Sequence, residues 1–149
     1  MNTDTHSLPI LIKYHSDELE PIKATEIGDW IDLRSAERVE LKEGEFKIIP
    51  LGVSMKLPDG YEAHLSPRSS TCKNFGIIQP NSVGVIDNSY CGDDDIWGMP
   101  VIAVRDTVID INDRICQFRI MPKMPPIDLI TVNKLSDTNR GGFGSTGTN

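Results

Sequence analysis

Arg114-Ile115-Cys116-Gln117-Phe118-Arg119-Ile120 places a polar Gln117 between Cys116 and Phe118. Such alternation marks a strand with one face in the core and one outside, so Gln117 is expected to point out of the core as a polar contact. Runs of the same kind recur outward from it. Upstream stand Met99-Pro100-Val101-Ile102-Ala103-Val104, Ser82-Val83-Gly84-Val85-Ile86, Gly52-Val53-Ser54-Met55-Lys56-Leu57 and Phe46-Lys47-Ile48-Ile49; downstream stands Ile127-Asp128-Leu129-Ile130-Thr131-Val132. Glycine, proline, asparagine and aspartate punctuate the chain between them, and Pro58-Asp59-Gly60 is a strong turn signal. Helical periodicity is nearly absent. The best short candidate starts at Ser69-Ser70-Thr71, whose hydroxyls are placed to cap a turn through Cys72-Lys73-Asn74. The pattern reads as an all-β domain of many short strands, a sandwich or a barrel.

The chain has 149 residues, enough for one ordinary domain with a real core. Its hydrophobic share, 38%, is below that of a typical globular domain, and part of the deficit lies in two polar ends. The net charge of −7, from 15 basic and 22 acidic residues, excludes a general nucleic-acid binder, which needs a basic face to displace counterions. It leaves room for a nucleotide site, because a triphosphate needs only a few local cations and a metal. Cys72, Cys91 and Cys116 are odd in number, widely spaced and without a CxxC pair, so neither a disulfide framework nor a zinc knuckle is expected and a reducing compartment is. There is no run of the ~18 apolar residues a membrane span needs and no signal-peptide pattern, so the expected location is the cytoplasm. His6, His15 and His64 show no ligand spacing.

Several residues are candidates for chemistry. Arg68, between Pro67 and Ser69-Ser70, joins a guanidinium to adjacent hydroxyls, either as a phosphate grip or as an exposed arginine beside a capped turn. In Gly84-Val85-Ile86-Asp87-Asn88-Ser89-Tyr90-Cys91-Gly92 an aspartate appears where an apolar strand should turn. A hairpin there would set Asp87 and Tyr90 on one side of a pocket; the plainer alternative is a turn in which Asp87 bonds local backbone. Asp32 either orients a phosphate or metal-bound water or pairs with Arg34. Asp93-Asp94-Asp95 reads as a solvated loop, since three adjacent carboxylates cannot all face one ion. Residues 138–147 hold four glycines, Arg140 and Phe143, and read as a disordered tail or as a mobile lid with phosphate and base contacts.

The order and spacing of these segments resemble the trimeric dUTP pyrophosphatase (dUTPase) family over roughly residues 8–147. Asp32-Leu33-Arg34-Ser35, Pro67-Arg68-Ser69-Ser70, Asn81 to Gly92, Arg114-Ile115-Cys116-Gln117 and Arg140 to Gly147 are similar to the family's five ordered motifs. Three departures stand out. Trp30-Ile31 replaces the Gly-Tyr common before the first motif. Arg140 directly precedes Gly141-Gly142, closer to the phenylalanine than is common. Asp93 to Trp97 forms an altered hairpin. The compact acidic hairpin and short tail are similar to phage or prophage members.

The resemblance implies a jelly-roll-like β-barrel over residues 8–135, with a loose N-terminus at 1–7 and a mobile glycine-rich arm at 136–149, assembled as a homotrimer. It implies Mg²⁺-assisted hydrolysis of dUTP to dUMP and pyrophosphate by in-line attack of water on the α-phosphorus. One subunit would supply Asp32, Arg68, Ser69 and Gln117, a second the Asp87–Tyr90 hairpin, and a third the arm. Asp87 would be the general base. Asp32 would organise the phosphate and metal-water network, with Mg²⁺ held mainly by substrate phosphates and water. Arg68, Ser69, Gln117, Arg140, Ser145 and Thr146 would contact phosphates. Asn81, Gly84 and Ile86 would read uracil, Tyr90 would pack on deoxyribose, and Phe143 would stack on the base. The alternatives are a dCTP deaminase of the same barrel and a nucleotide-gated regulatory binding protein whose acidic loop meets a protein partner.

Overall fold

A computed structural model describes residues 7–23, 28–144 and 147. Among them lie eleven strands and one short helix: β1 (Leu11–Tyr14), β2 (Ile31–Arg34), β3 (Val39–Leu41), β4 (Phe46–Pro50), β5 (Val53–Lys56), β6 (Tyr61–Pro67), α1 (Thr71–Phe75), β7 (Ile77–Ile78), β8 (Gly84–Ile86), β9 (Gly98–Ala103), β10 (Thr107–Ile109) and β11 (Arg114–Pro122). The expected all-β, jelly-roll-like class holds. A four-stranded sheet runs β2-β11-β6-β8 and a three-stranded sheet β4-β9-β7, with β1-β5 and β3-β10 as antiparallel pairs beside them. No helix among the described residues is long and apolar enough to cross a membrane.

Period-two patterning builds the core. Met99, Val101 and Ala103 of β9 point inward and are fully buried. Leu33, Ala63, Leu65, Cys116 and Phe118 from the four-stranded sheet belong to the same cluster. Trp97, just before β9, meets Phe118 of β11 edge-on at 5.3 Å between ring centroids, so one aromatic pair ties the two sheets together. Each large side chain buried here contributes roughly 1.5–3 kcal/mol. Where the chain turns from β4 into β5, Gly52 sits at φ 68°, and a methyl group there would stand 2.2 Å from Leu19 Cδ1 and 2.8 Å from Ala36 Cβ. Backbone and neighbours both require glycine.

Three local expectations change. The segment Ile127 to Val132 forms no strand; its apolar residues are exposed, Leu129 at 86% and Ile130 at 75%. It has the composition of a strand, but among the described residues no sheet edge pairs with it. The run Ser82 to Ile86 is ordered as a strand only from Gly84, because Ser82 adopts φ 58°, outside the extended region. The turn at Thr71 is helical, but Ser70 caps it without a side-chain hydrogen bond. The Thr71 hydroxyl instead accepts from the Arg68 N–H at 2.8 Å and donates to the Ile115 carbonyl at 2.9 Å. That bond fixes the Arg68 loop against β11.

Candidate active site

The predicted polar residues gather in two places on the four-stranded sheet. In the first, β2 and β11 pair so that Asp32 faces Gln117, and β6 places Ser66 opposite Gln117. Directly opposed residues of an antiparallel pair share a face, so Asp32 and Gln117 project from the same side. Arg68 follows β6, and its Nε lies 3.0 Å from Asp32 Oδ1. The Gln117 amide donates to the Pro67 carbonyl at 3.1 Å, and an Arg68 terminal N–H to the Arg114 carbonyl at 3.3 Å. Arg68 thus donates one guanidinium N–H, to the Arg114 carbonyl, with Asp32 as its ion-pair partner, and its remaining N–H donors are available to a ligand. Ser69 is exposed beside it.

Asp32 does not pair with Arg34, as one expectation had it. Arg34 turns away to Glu20 at 3.3 Å and to the Asn112 carbonyl at 2.7 Å. The second partner of Asp32 is Arg114, at 3.2 Å from Oδ2. Sequence reasoning missed Arg114 because residues three apart on a regular strand point to opposite faces. The ladder shifts between Arg114 and Cys116, where Ile115 is the extra residue of a bulge. The signal was present: Ile115 and Cys116 are two apolar residues in succession, which breaks the alternation. Cys116 lies in the core behind this cluster. Burial, with a smaller push from the Asp32 charge, raises its thiol far above the ordinary value, so it is chemically inert.

The second place is the turn after β8. Asp87 and Tyr90 share the wall of a cavity of about 420 Å³ with Ile86, Ile96, Trp97 and Pro100. The larger cavity, about 640 Å³ between Lys42 and Thr107, contains none of the predicted residues. The smaller one, where carboxylate, phenol and apolar wall converge, is the candidate base and sugar pocket. Asp87 accepts from both the N–H and the hydroxyl of Ser89. Those bonds, the hydroxyl's first and the N–H's second, hold its carboxyl below the ordinary carboxylate value; Lys123 adds a smaller pull against slight desolvation. Both the pocket placement and the plainer turn role are thus realised by one side chain. Asn88, which was not singled out, anchors the turn by donating to the Pro58 and Tyr61 carbonyls at 3.0 and 2.9 Å. The Tyr90 hydroxyl donates to the Ile96 carbonyl at 3.0 Å. In the acidic loop Asp95 closes a turn by accepting from the Gly92 N–H at 2.8 Å, while Asp93 and Asp94 are exposed.

Asn81 is exposed, with its carbonyl engaged by the Val83 N–H. Gly84 packs closely on β6: a methyl there would stand 3.3 Å from Leu65 Cβ. Arg140 and Phe143 are exposed on the arm, while Ser145 and Thr146 lie outside the described residues.

The ladder fixes how far apart the two places are. Ala63 pairs with Ile86, so Asp87 stands across from Glu62, at the opposite end of β6 from Arg68. Six residues of strand separate those ends by roughly 20 Å. A single chain therefore does not bring Asp87 to the Arg68 cluster.

Comparison with known proteins points one way. The family model described as dUTPase matches residues 25–147. The SPbeta prophage-derived deoxyuridine 5'-triphosphate nucleotidohydrolase YosS of Bacillus subtilis (strain 168) is 61% identical over 141 residues, covering 95% of this chain and 99% of the relative. The deoxyuridine 5'-triphosphate nucleotidohydrolase of Neorickettsia sennetsu is 35% identical over 144 residues, covering 93% and 95%. Among solved structures, the dUTPase from Streptococcus mutans superposes with a TM-score of 0.72 at 26% identity, over 78% of this chain and 98% of that one. The Staphylococcus bacteriophage 80alpha dUTPase shares the fold with a TM-score of 0.76 at 20% identity, over 94% and 99%. With the family model matched over most of the chain and a relative 61% identical over nearly its whole length, the chain belongs to the dUTPase family.

Proposed function

We propose that the protein hydrolyses dUTP to dUMP and pyrophosphate at sites completed between chains of a homotrimer. The observation that carries this reading is the division of the predicted residues into two incomplete half-sites at opposite ends of β6. Apposing one chain's Asp87 turn to its neighbour's Asp32-Arg68-Gln117 cluster joins a base and sugar pocket to a phosphate grip. Exposed apolar residues support association: Phe46, Ile48 and Val85 on the sheets, and Leu129 and Ile130 on the unpaired segment beyond β11. The 136–149 arm then supplies Arg140, Ser145, Thr146 and Phe143 to a site on another chain.

In this reading Asp87, held ionised by Ser89, takes a proton from water as the water oxygen attacks the α-phosphorus in line. The bond from that phosphorus to the bridging oxygen breaks, and pyrophosphate leaves. Arg68, Ser69, Gln117 and Arg140 hold the phosphate oxygens, with the free donors of Arg68 facing the developing charge. Asn81 with the Gly84 and Ile86 backbone reads the uracil edge. Tyr90, tied to Ile96, packs on the deoxyribose and leaves no room for a 2′-hydroxyl.

Magnesium fits this donor set. Among the described residues no group of three or more His, Cys, Asp or Glu could cage an ion. We infer a cation bound chiefly by substrate phosphates and water, with Asp32 orienting it indirectly. When bound, Mg²⁺ neutralises and fixes the triphosphate.

The test is pyrophosphate release from dUTP with Mg²⁺, beside dCTP, dTTP and UTP, with ammonia assayed in the dCTP arm. Turnover of dUTP alone is expected. Ammonia from dCTP would move the assignment to a deaminase, and binding of dUTP without turnover would move it to a regulatory binding protein.

Ser89→Ala gives a separate expected result. It removes the larger of the two bonds that depress the Asp87 pKa and leaves the Ser89 N–H in place. The carboxyl titration should move up toward the ordinary value, so the basic form is lost earlier as pH falls. A ¹³C titration of the Asp87 carboxyl reads this directly, and an unmoved midpoint would discard the Ser89 explanation.

A further inference from the structure

Gln79 precedes the base-reading hairpin and plays no part in the mechanism above. Its side chain is buried, at 7% exposure, yet polar. Its amide nitrogen donates to the Leu65 carbonyl at 3.1 Å and to the Ser82 carbonyl at 3.3 Å. Its own carbonyl accepts from the Ser82 N–H at 3.2 Å, closing a turn with Pro80 at the second position, where a fixed φ favours it. A tighter turn follows at once: the Val83 N–H donates to the Asn81 carbonyl at 2.6 Å, with Ser82 at φ 58° between them. This is a γ-turn of the rare, strained, positive-φ kind. Gln79 therefore grips Ser82 on both sides of its backbone and ties it to β6 at Leu65, the residue that pairs with Gly84.

The grip has a cost. The Gln79 Oε1 is buried with no hydrogen-bond partner among the described residues. An apolar side chain of similar shape would avoid that orphan acceptor, so the amide is explained by what its donor end holds. The residues on either side of this turn matter to that holding. Asn81 directly before Ser82 and Gly84 two residues after it are the candidate readers of the base, and the strained turn at Ser82 sets the angle between them.

We propose that Gln79 is a positioning residue for substrate recognition, holding the γ-turn at Ser82 so that Asn81 and the Gly84–Ile86 backbone face the base together. This rests on the dUTP hydrolysis reading. Without the grip, serine leaves the left-handed region, where its side chain is disfavoured, and the hairpin loses its preorganised shape. Affinity falls while the chemistry at the α-phosphorus, served by other residues, continues.

The experiment is steady-state kinetics with dUTP on the full-length protein. Gln79→Met keeps the length and shape of the side chain without a donor, and Gln79→Glu offers at most one donor to the two carbonyls, and only when protonated. Both should raise KM about tenfold, the scale of losing such hydrogen bonds, with kcat within about twofold. Ser82→Gly supplies a residue that adopts positive φ freely, so Gln79→Met combined with Ser82→Gly should return KM to that of Ser82→Gly alone. Unchanged KM in both Gln79 variants overturns the proposal. So does a raised KM that glycine at residue 82 fails to restore, since that is the behaviour of a residue that only packs. Absence of dUTP turnover in the unaltered protein would instead remove the hydrolase reading.

Discussion

Asp87→Asn should reduce dUTP turnover by about 10²–10⁴-fold, the range a positioned general base contributes, while dUTP still binds. The substitution is close to isosteric. The asparagine oxygen still accepts the Ser89 N–H that now bonds Asp87, and Asn88 still anchors the turn to Pro58 and Tyr61. What is lost is the negative charge and the capacity to take a proton. Calorimetric titration with a non-hydrolysed dUTP analogue should therefore give an affinity within a few-fold of the parent protein. Near-normal turnover would remove Asp87 from the base role, because no other property of the turn has changed. Weak binding together with weak turnover would assign the carboxylate to ground-state recognition instead.

Removing residues 140–149 should leave the folded assembly intact and lower kcat/KM by about 10²–10³-fold, the scale of losing one well-placed donor to a developing charge. The described residues from Lys123 to Gly144 are exposed, so the truncation takes nothing from the core. At the start of the arm the contacts are short-range: Asp137 pairs with Lys134 just before it, and Ser136 accepts from the Thr138 N–H at 3.3 Å. A segment of this composition becomes ordered only against something. Arg140 and Phe143 offer a guanidinium and a ring for that purpose, a triphosphate and a base being the matching surfaces. Circular dichroism and sedimentation should match the parent protein while the kinetics fall. Unchanged kinetics would make the arm dispensable.

The sequence made β9 and β11 legible because their alternation is strong and each is bordered by turn residues. It hid β6, although Tyr61–Pro67 lies between β11 and β8 and sets the spacing between the Arg68 and Asp87 groups. Glu62 and His64 interrupt its apolar positions, and only Ala63 and Leu65 mark the buried face. Ile127 to Val132 erred in the opposite direction: it has strand composition, but a strand also needs a partner edge, and composition does not say which chain supplies it. The candidate residues came from motif order, while the way they group came from register. Asp32 with Gln117 is a ladder pair, and Arg114 joins them only through the bulge at Ile115. The distance between Asp87 and Arg68 was likewise invisible before β6 and β8 were aligned.

That distance has a genetic consequence. In the shared-site trimer proposed above, a chain with a damaged turn and a chain with a damaged phosphate grip would each be inactive alone, yet in a mixed assembly some contacts would join the sound half of one to the sound half of the other. Two silent alleles, Asp87→Asn and Arg68→Ala, should therefore complement each other when co-expressed, and a single defective allele should poison sites that its neighbour's own sequence could have completed.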